Sequence, residues 1–329
     1  MKRCFFIRHG ESEGNIDHTK YASVQNLELS LTELGYEQAY KTGLEIRKYF
    51  EQHPEAAKQK TRIYYSPLKR TIQTLNGFRK GLGDVLDHVE LREDPLITEI
   101  DHGMYDDLSS DNQRLAAYPH EVKKYNALLT KKNGGFFARK PLGERPLDLF
   151  IRAQIFKNEM MRSTEDKGID NVFIISHNHV ERAFTGSFFH NTVEETMAIP
   201  KIGNGEVVLI EQDESNKFVR KNLYSPPQRT KHMPKDYKTG LCDPEASIPP
   251  SAEERRSTHH HQHILPLQEV ETKVPLRQTK DSEEETKAPQ EKTNVEKLGK
   301  HEVTDSFKEF LQNKREQEKL ASEIAKYGY

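Results

Sequence analysis

Apolar runs recur along this 329-residue chain as far as Tyr224 and then stop. Up to that point short stretches of β-branched and aromatic residues alternate with amphipathic ones, the pattern of an α/β domain. Beyond Ser225 the prolines from Pro226 to Pro289 fall among Lys, Glu, Ser and Thr. Such a segment buries too little apolar area to offset its ordering entropy. The expected organisation is therefore one domain over residues 1–224, a disordered tail over 225–303, and a final stretch, 304–329, that regains helical character. There Ser306 and Glu309 can form a capping box, and Phe307, Phe310, Leu311, Leu320 and Ile324 share roughly one face. This reads as a marginal helix or as an element that docks a protein partner. The tail explains why only 34% of the chain is hydrophobic while 31% is charged.

Fifty Lys and Arg against 52 Asp and Glu leave a net charge of −2, which removes the argument for bulk nucleic-acid binding. Cys4 and Cys242 make neither a disulfide framework nor a zinc set. The opening MKRCFFIRHGE has too short an apolar run for a signal-peptide core, and no run reaches the length of a membrane helix. A cytoplasmic protein without a membrane span is expected, with secretion through a signal in the tail left open. His259, His260, His261 and His263 read as a solvated tract rather than a metal site.

Strands are predicted at Arg3 to Ile7, Arg62 to Tyr65, Asn171 to Ser176, Glu206 to Glu211 and Lys217 to Tyr224. Helices are predicted from Leu31 to Phe50, capped by Thr32, and from Pro67 to Arg79 with its proline in the first turn. A third, from Pro146 to Met161, offers Leu147, Phe150, Ile151, Ile155, Phe156 and Met160 as a core-facing stripe.

The first strand ends in Arg8, His9, Gly10, Glu11, Ser12, Glu13, Gly14 and Asn15. A strand end opening into a polar, glycine-containing loop is where an α/β sheet places ligands. The residue types suit phosphate. Arginine offers a planar fork to phosphoryl oxygens, histidine can attack phosphorus, and Ser12 and Asn15 can hydrogen-bond.

The run fits RHGxSxxN and so resembles the signature of the histidine phosphatase (phosphoglycerate mutase-like) superfamily, branch 1. Further segments agree in order: Leu29 to Ala39 is similar to the family's LTxxGxxQA helix start, and Tyr65 to Thr71 to its SPLxRT turn. Leu96 to Gly103 resembles the LxExxxG segment, and Ile175, Ser176 and His177 the second-histidine motif. The resemblance covers Met1 to about Tyr224. It implies a three-layer α/β/α sandwich on a mostly parallel central sheet, with a helical cap inserted between Ser109 and Arg145.

By the same resemblance His9 is the nucleophile, Arg8, Arg70 and His177 clamp the phosphoryl oxygens, and Glu99 is the general acid, with Asp101 and Glu93 as competitors. Arg139 is carried over as a substrate-binding residue of the cap, from the segment containing Phe136, Phe137, Gly143, Glu144, Asp148 and Arg152. No cofactor or metal is implied. The expected reaction is hydrolysis of a phosphomonoester, on a small molecule or a phosphoprotein. The alternatives are a cofactor-dependent phosphoglycerate mutase and a catalytically silent scaffold with an interaction tail. Asn178 stands where the family usually has glycine and is expected to cap a helix with Glu181, and Glu181 stands where an apolar residue is common.

Overall fold

The computed structural model describes residues 1–239 apart from Asp107, Ser109 and Lys235. Six strands form one sheet: β1 (Arg3–Arg8), β2 (Thr61–Tyr65), β3 (Val89–Glu93), β4 (Asn171–Ser176), β5 (Val207–Gln212) and β6 (Phe218–Tyr224), in the order β3-β2-β4-β1-β5-β6. Pairing is parallel from β3 through β2 and β4 to β1, and antiparallel from β1 to β5 and β6. The main helices are α1 (Glu33–Gln52), α2 (Lys69–Leu82), α3 (Pro119–Leu129), α4 (Pro146–Lys167) and α5 (Asn178–Phe188). The result is a mixed α/β fold with helices flanking a six-stranded sheet.

Strand alternation makes two cores. Cys4, Phe6, Val172, Ile174, Val208 and Ile210 face α4 and α5, where they meet Phe156, Met160, Val180 and Phe184. Phe5, Ile7, Ile63, Phe173, Ile175 and Leu209 face α1 and α2, meeting Ile46, Phe50, Leu75 and Phe78. Five strands lie where the sequence places them. β3 was not foreseen because it is an edge strand alternating Glu90, Arg92 and Glu93 with two apolar residues, and charge is what edge strands tolerate.

Two local expectations are corrected. Pro67 lies outside α2, whose flanking residue is Leu68, so the helix starts two residues after the proline. In α4 the inward stripe is Leu149, Ala153, Phe156, Met160 and Thr164, whereas Ile151 and Ile155 are each 47% exposed. Thr32 does cap α1, its side chain accepting from Gly35 N at 3.1 Å. The cap segment carries short helices at Asp111–Ala117 and Gly134–Phe137 on either side of α3. The His tract, Cys242, the tail beyond Thr239 and the helix expected within 304–329 lie outside the described residues. Among the described residues no helix is long and apolar enough to cross a membrane.

Candidate active site

The parallel register pairs Arg8 with Ser176 and Tyr65 with Ile175, so the residues just past three strand ends, His9, His177 and Ser66, converge at one edge of the sheet. His9 N donates to Ser176 O at 2.9 Å and Ser66 N to Ile175 O at 3.1 Å, which extends the ladder into the site. The two imidazoles sit 5.1 Å apart between centroids. His9 is 4% exposed, and its Nδ1 lies 2.7 Å from Gly10 O, so Nδ1 donates to that carbonyl and Nε2 keeps its lone pair. Burial, with Arg70 and Arg8 nearby, holds His9 well below the usual histidine range, so it is neutral. Burial and Arg70 do the same to His177, whose Nε2 pairs with Ser66 Oγ at 2.9 Å.

Arg8 projects from the end of β1 and anchors one guanidinium nitrogen on Ile202 O at 2.8 Å. Arg70, in the first turn of α2 and 1% exposed, anchors on Asn26 O and Oδ1. Each leaves Nε buried without a hydrogen-bond partner, as does His177 Nδ1. A buried, unpaired donor is costly. Arg8 and Arg70 also line one pocket, where two guanidinium groups suit an anion.

Glu99 faces this group from the segment between β3 and the cap, and Arg152 of α4 holds that segment by donating to Leu96 O at 2.7 Å and Glu99 O at 3.0 Å. Its Oε1 lies 3.2 Å from His179 Nδ1. Burial pushes the Glu99 carboxyl up, but His179, His177 and the amide of Ile100 outweigh this and hold it well below the usual carboxylate range. Asp101 instead accepts from Gly103 N, and Glu93 is exposed on β3.

Arg8, Asn15, Arg70 and Glu99 line a pocket of about 470 Å³ together with Tyr21, His102, Arg114, Lys140, His179 and Lys201. Ser12 is fully buried and holds Asn15 Oδ1 by its backbone N–H at 3.0 Å and its hydroxyl at 3.2 Å, while Asn204 donates to the same oxygen. Ser12 and Asn15 thus brace the loop. Arg139 is elsewhere: its guanidinium is engaged by Gly143 O and Asp148, and the neighbouring Lys140 lines the pocket in its place. Lys140 donates to His102 Nδ1. Burial and Lys140 push His102 down to about 4, and burial lowers Lys140 to about 8.

His179 and Lys140 are the residues that sequence reasoning missed. His179 could have been found, since it lies two residues after His177 at a helix start. Asn178 does not cap α5; His177 occupies the cap position and Asn178 Oδ1 accepts from Ile202 N at 3.0 Å. Glu181 is no part of the pocket wall: it is buried against Arg220 of β6 at 2.9 Å and against Thr185. Among the described residues no three His, Cys, Asp or Glu side chains are grouped to hold a metal ion.

The family model described as "Histidine phosphatase superfamily (branch 1)" matches residues 4–223. The chain is 30% identical over 227 residues to the phosphoglycerate mutase-like protein AT74H of Arabidopsis thaliana, covering 66% of this chain and 76% of that protein. It is 28% identical to the phosphoglycerate mutase-like protein AT74 of the same plant, covering 64% of this chain and only 65% of the relative. With the broad-range acid phosphatase DET1 of Saccharomyces cerevisiae it shares 26% identity, covering 66% of this chain and 87% of that protein. The fold is also that of the alpha-ribazole phosphatase from Shigella flexneri, at a TM-score of 0.51, 19% identity and coverage of 70% of this chain and all of that one.

Proposed function

The chain belongs to the histidine phosphatase superfamily, branch 1, and on that footing we propose that it is a phosphomonoester hydrolase working through a phosphohistidine on His9. The observation that carries this reading is the neutral, buried His9, its Nδ1 tied to Gly10 O, beside Arg8 and Arg70, which line the pocket.

In the first step His9 Nε2 attacks phosphorus and the bond to the ester oxygen breaks. The cationic donors take the charge on the equatorial oxygens, and Nδ1 keeps its proton and its hydrogen bond to Gly10 O, which supports the charge gained by the ring. The leaving oxygen takes a proton from Glu99. In the free protein that carboxyl is ionised, and the incoming phosphate raises its proton affinity, so that Glu99 gains the proton it donates as the ester binds. In the second step water attacks phosphorus, the phosphorus–nitrogen bond breaks, and the Glu99 carboxylate accepts the proton of the water. His9 returns neutral. No step draws on a metal ion, and EDTA is expected to leave turnover unchanged.

A mutase reading rests on Arg114, Lys140 and Lys201, cations of the same pocket that a second anionic group could meet. Quenching the protein on a radiolabelled phosphomonoester should trap an acid-labile phosphoenzyme in wild type and none in His9→Ala. Equal labelling of the two would sink the proposal. Release of inorganic phosphate faster than return of the label to the alcohol separates hydrolysis from mutase chemistry.

A further inference from the structure

Beside the catalytic pocket lies a second cavity of about 270 Å³, and Ile100, His102, Lys140 and His179 line both. From that shared wall the second cavity continues between Phe136, Leu149, Phe150 and Met197 to Leu129. Leu129 is 46% exposed, so one side of the cavity belongs to the surface of the cap, while the other shares its wall with the phosphate pocket. Two of its charged wall residues are tied back to their neighbours. Glu144 is held by Arg152 and by the amide of Asp101, and Arg182 Nε donates to Ile199 O. What faces the interior is chiefly hydrocarbon.

The exposed surface of the cap segment repeats this chemistry. Leu115, Leu128, Leu129, Phe137 and Leu142 are all exposed, Leu142 at 83%, and all belong to the cap. A polar sugar phosphate or nucleotide would leave an apolar cavity beside its phosphoryl clamp unfilled.

We propose that this protein takes amphiphilic phosphomonoesters, with the phosphate at His9 and a hydrocarbon chain of the leaving alcohol lying in the cavity between Ile100 and Leu129. This rests on the hydrolase reading above and adds the substrate class. The polar partition of His102, Lys140 and His179 stands where the phosphate end gives way to the chain, which fixes the direction in which the substrate enters.

Each methylene that leaves water for such a cavity raises kcat/KM about fourfold. The test compares ethyl, butyl, hexyl and octyl phosphate at submicellar concentration, read as phosphate release. The octyl-to-ethyl ratio of kcat/KM is expected to exceed 100 in wild type. Gly135 offers the blocking variant: a Cβ there meets only Met197 Cε at 3.8 Å and Leu129 Cδ2 at 3.9 Å, ordinary contacts inside the cavity. Gly135→Leu should lower the ratio at least tenfold and Gly135→Ala by less. If Gly135→Leu fails to fold, the wild-type series decides alone. A wild-type ratio within threefold of one, with ethyl phosphate still turned over, overturns the chain subsite and leaves the hydrolase reading standing. That result would make the exposed cap leucines a surface for a protein partner. Turnover of none of the esters removes the hydrolase reading itself, and with it this one.

Discussion

Histidine protonation sets the acid behaviour of both activity and stability. Because His9 is held far below its ordinary value, lowering the pH from 7 to 5 should not cost kcat/KM through loss of the nucleophile. Stability runs the other way. His9, His177 and His102 all have folded values below the unfolded one, so the unfolded chain binds more protons as pH falls from about 6.5. For His102 the window closes at about 4. Melting temperature should therefore drop between pH 7 and 4, and less steeply in His102→Gln; a parallel drop in that variant would contradict the assignment. The acid role of Glu99 is tested by leaving group. Glu99→Gln should lower kcat/KM, which reports the first step alone, by roughly 10²–10⁴ on an alkyl phosphate, and far less on p-nitrophenyl phosphate, whose leaving oxygen needs no proton. Equal losses of kcat/KM on the two esters would remove Glu99 from protonation of the leaving oxygen.

Two elements press on each other at the catalytic loop. A Cβ on Gly10 would lie 2.2 Å from Gly35 O, and one on Gly35 would lie 2.1 Å from Glu11 O. The start of α1 thus packs backbone to backbone against the turn that follows His9, and Glu11 O also accepts from Thr32 N at 2.9 Å. Gly35→Ala should cost about 1–3 kcal/mol by overpacking and push the loop out of register with Arg70. Differential scanning calorimetry and phosphoenzyme yield measure the two effects; an unchanged melting temperature would show that the contact yields without strain.

For the molecule as a whole the open question is where the domain ends. The sequence places its boundary near Ser225, and the described chain continues in contact with the domain to Thr239. Gln38 donates to Pro227 O at 2.9 Å, Gln228 bonds to Asn204, and Thr239 reaches Glu33. Arg229 donates to both carboxylate oxygens of Glu11, each at 2.8 Å, and Glu11 is buried in the loop after His9. A strap from the proline-rich segment is thereby tied to the catalytic loop. Residues 1–225 should melt lower than residues 1–239, because removing Arg229 leaves the buried Glu11 carboxylate short of two charged hydrogen bonds, a loss of about 1–3 kcal/mol. Arg229→Ala in the full chain should reproduce most of that loss. Equal melting of the two truncations would restore the boundary at Ser225.

Five of the six strands and the polar run from Arg8 to Asn15 were legible in the residues alone, because each is encoded locally. Alternation writes a buried strand into four or five consecutive positions, and the run from Arg8 to Asn15 is one strand end and its loop. Segments such as those of Arg70, Glu99 and His177 could be recognised one by one, yet their meeting depends on the parallel register that sets Arg8 beside Ser176 and Tyr65 beside Ile175. Only the tertiary structure decided that Lys140 and not Arg139 turns to the pocket, that His179 pairs with Glu99, and that Arg229 closes on Glu11 across 218 residues of chain. Each of these is an electrostatic choice between partners distant in sequence. Charged side chains carry no periodicity that names a partner, so the folded backbone makes that choice by bringing one opposite charge within reach and leaving the others in water.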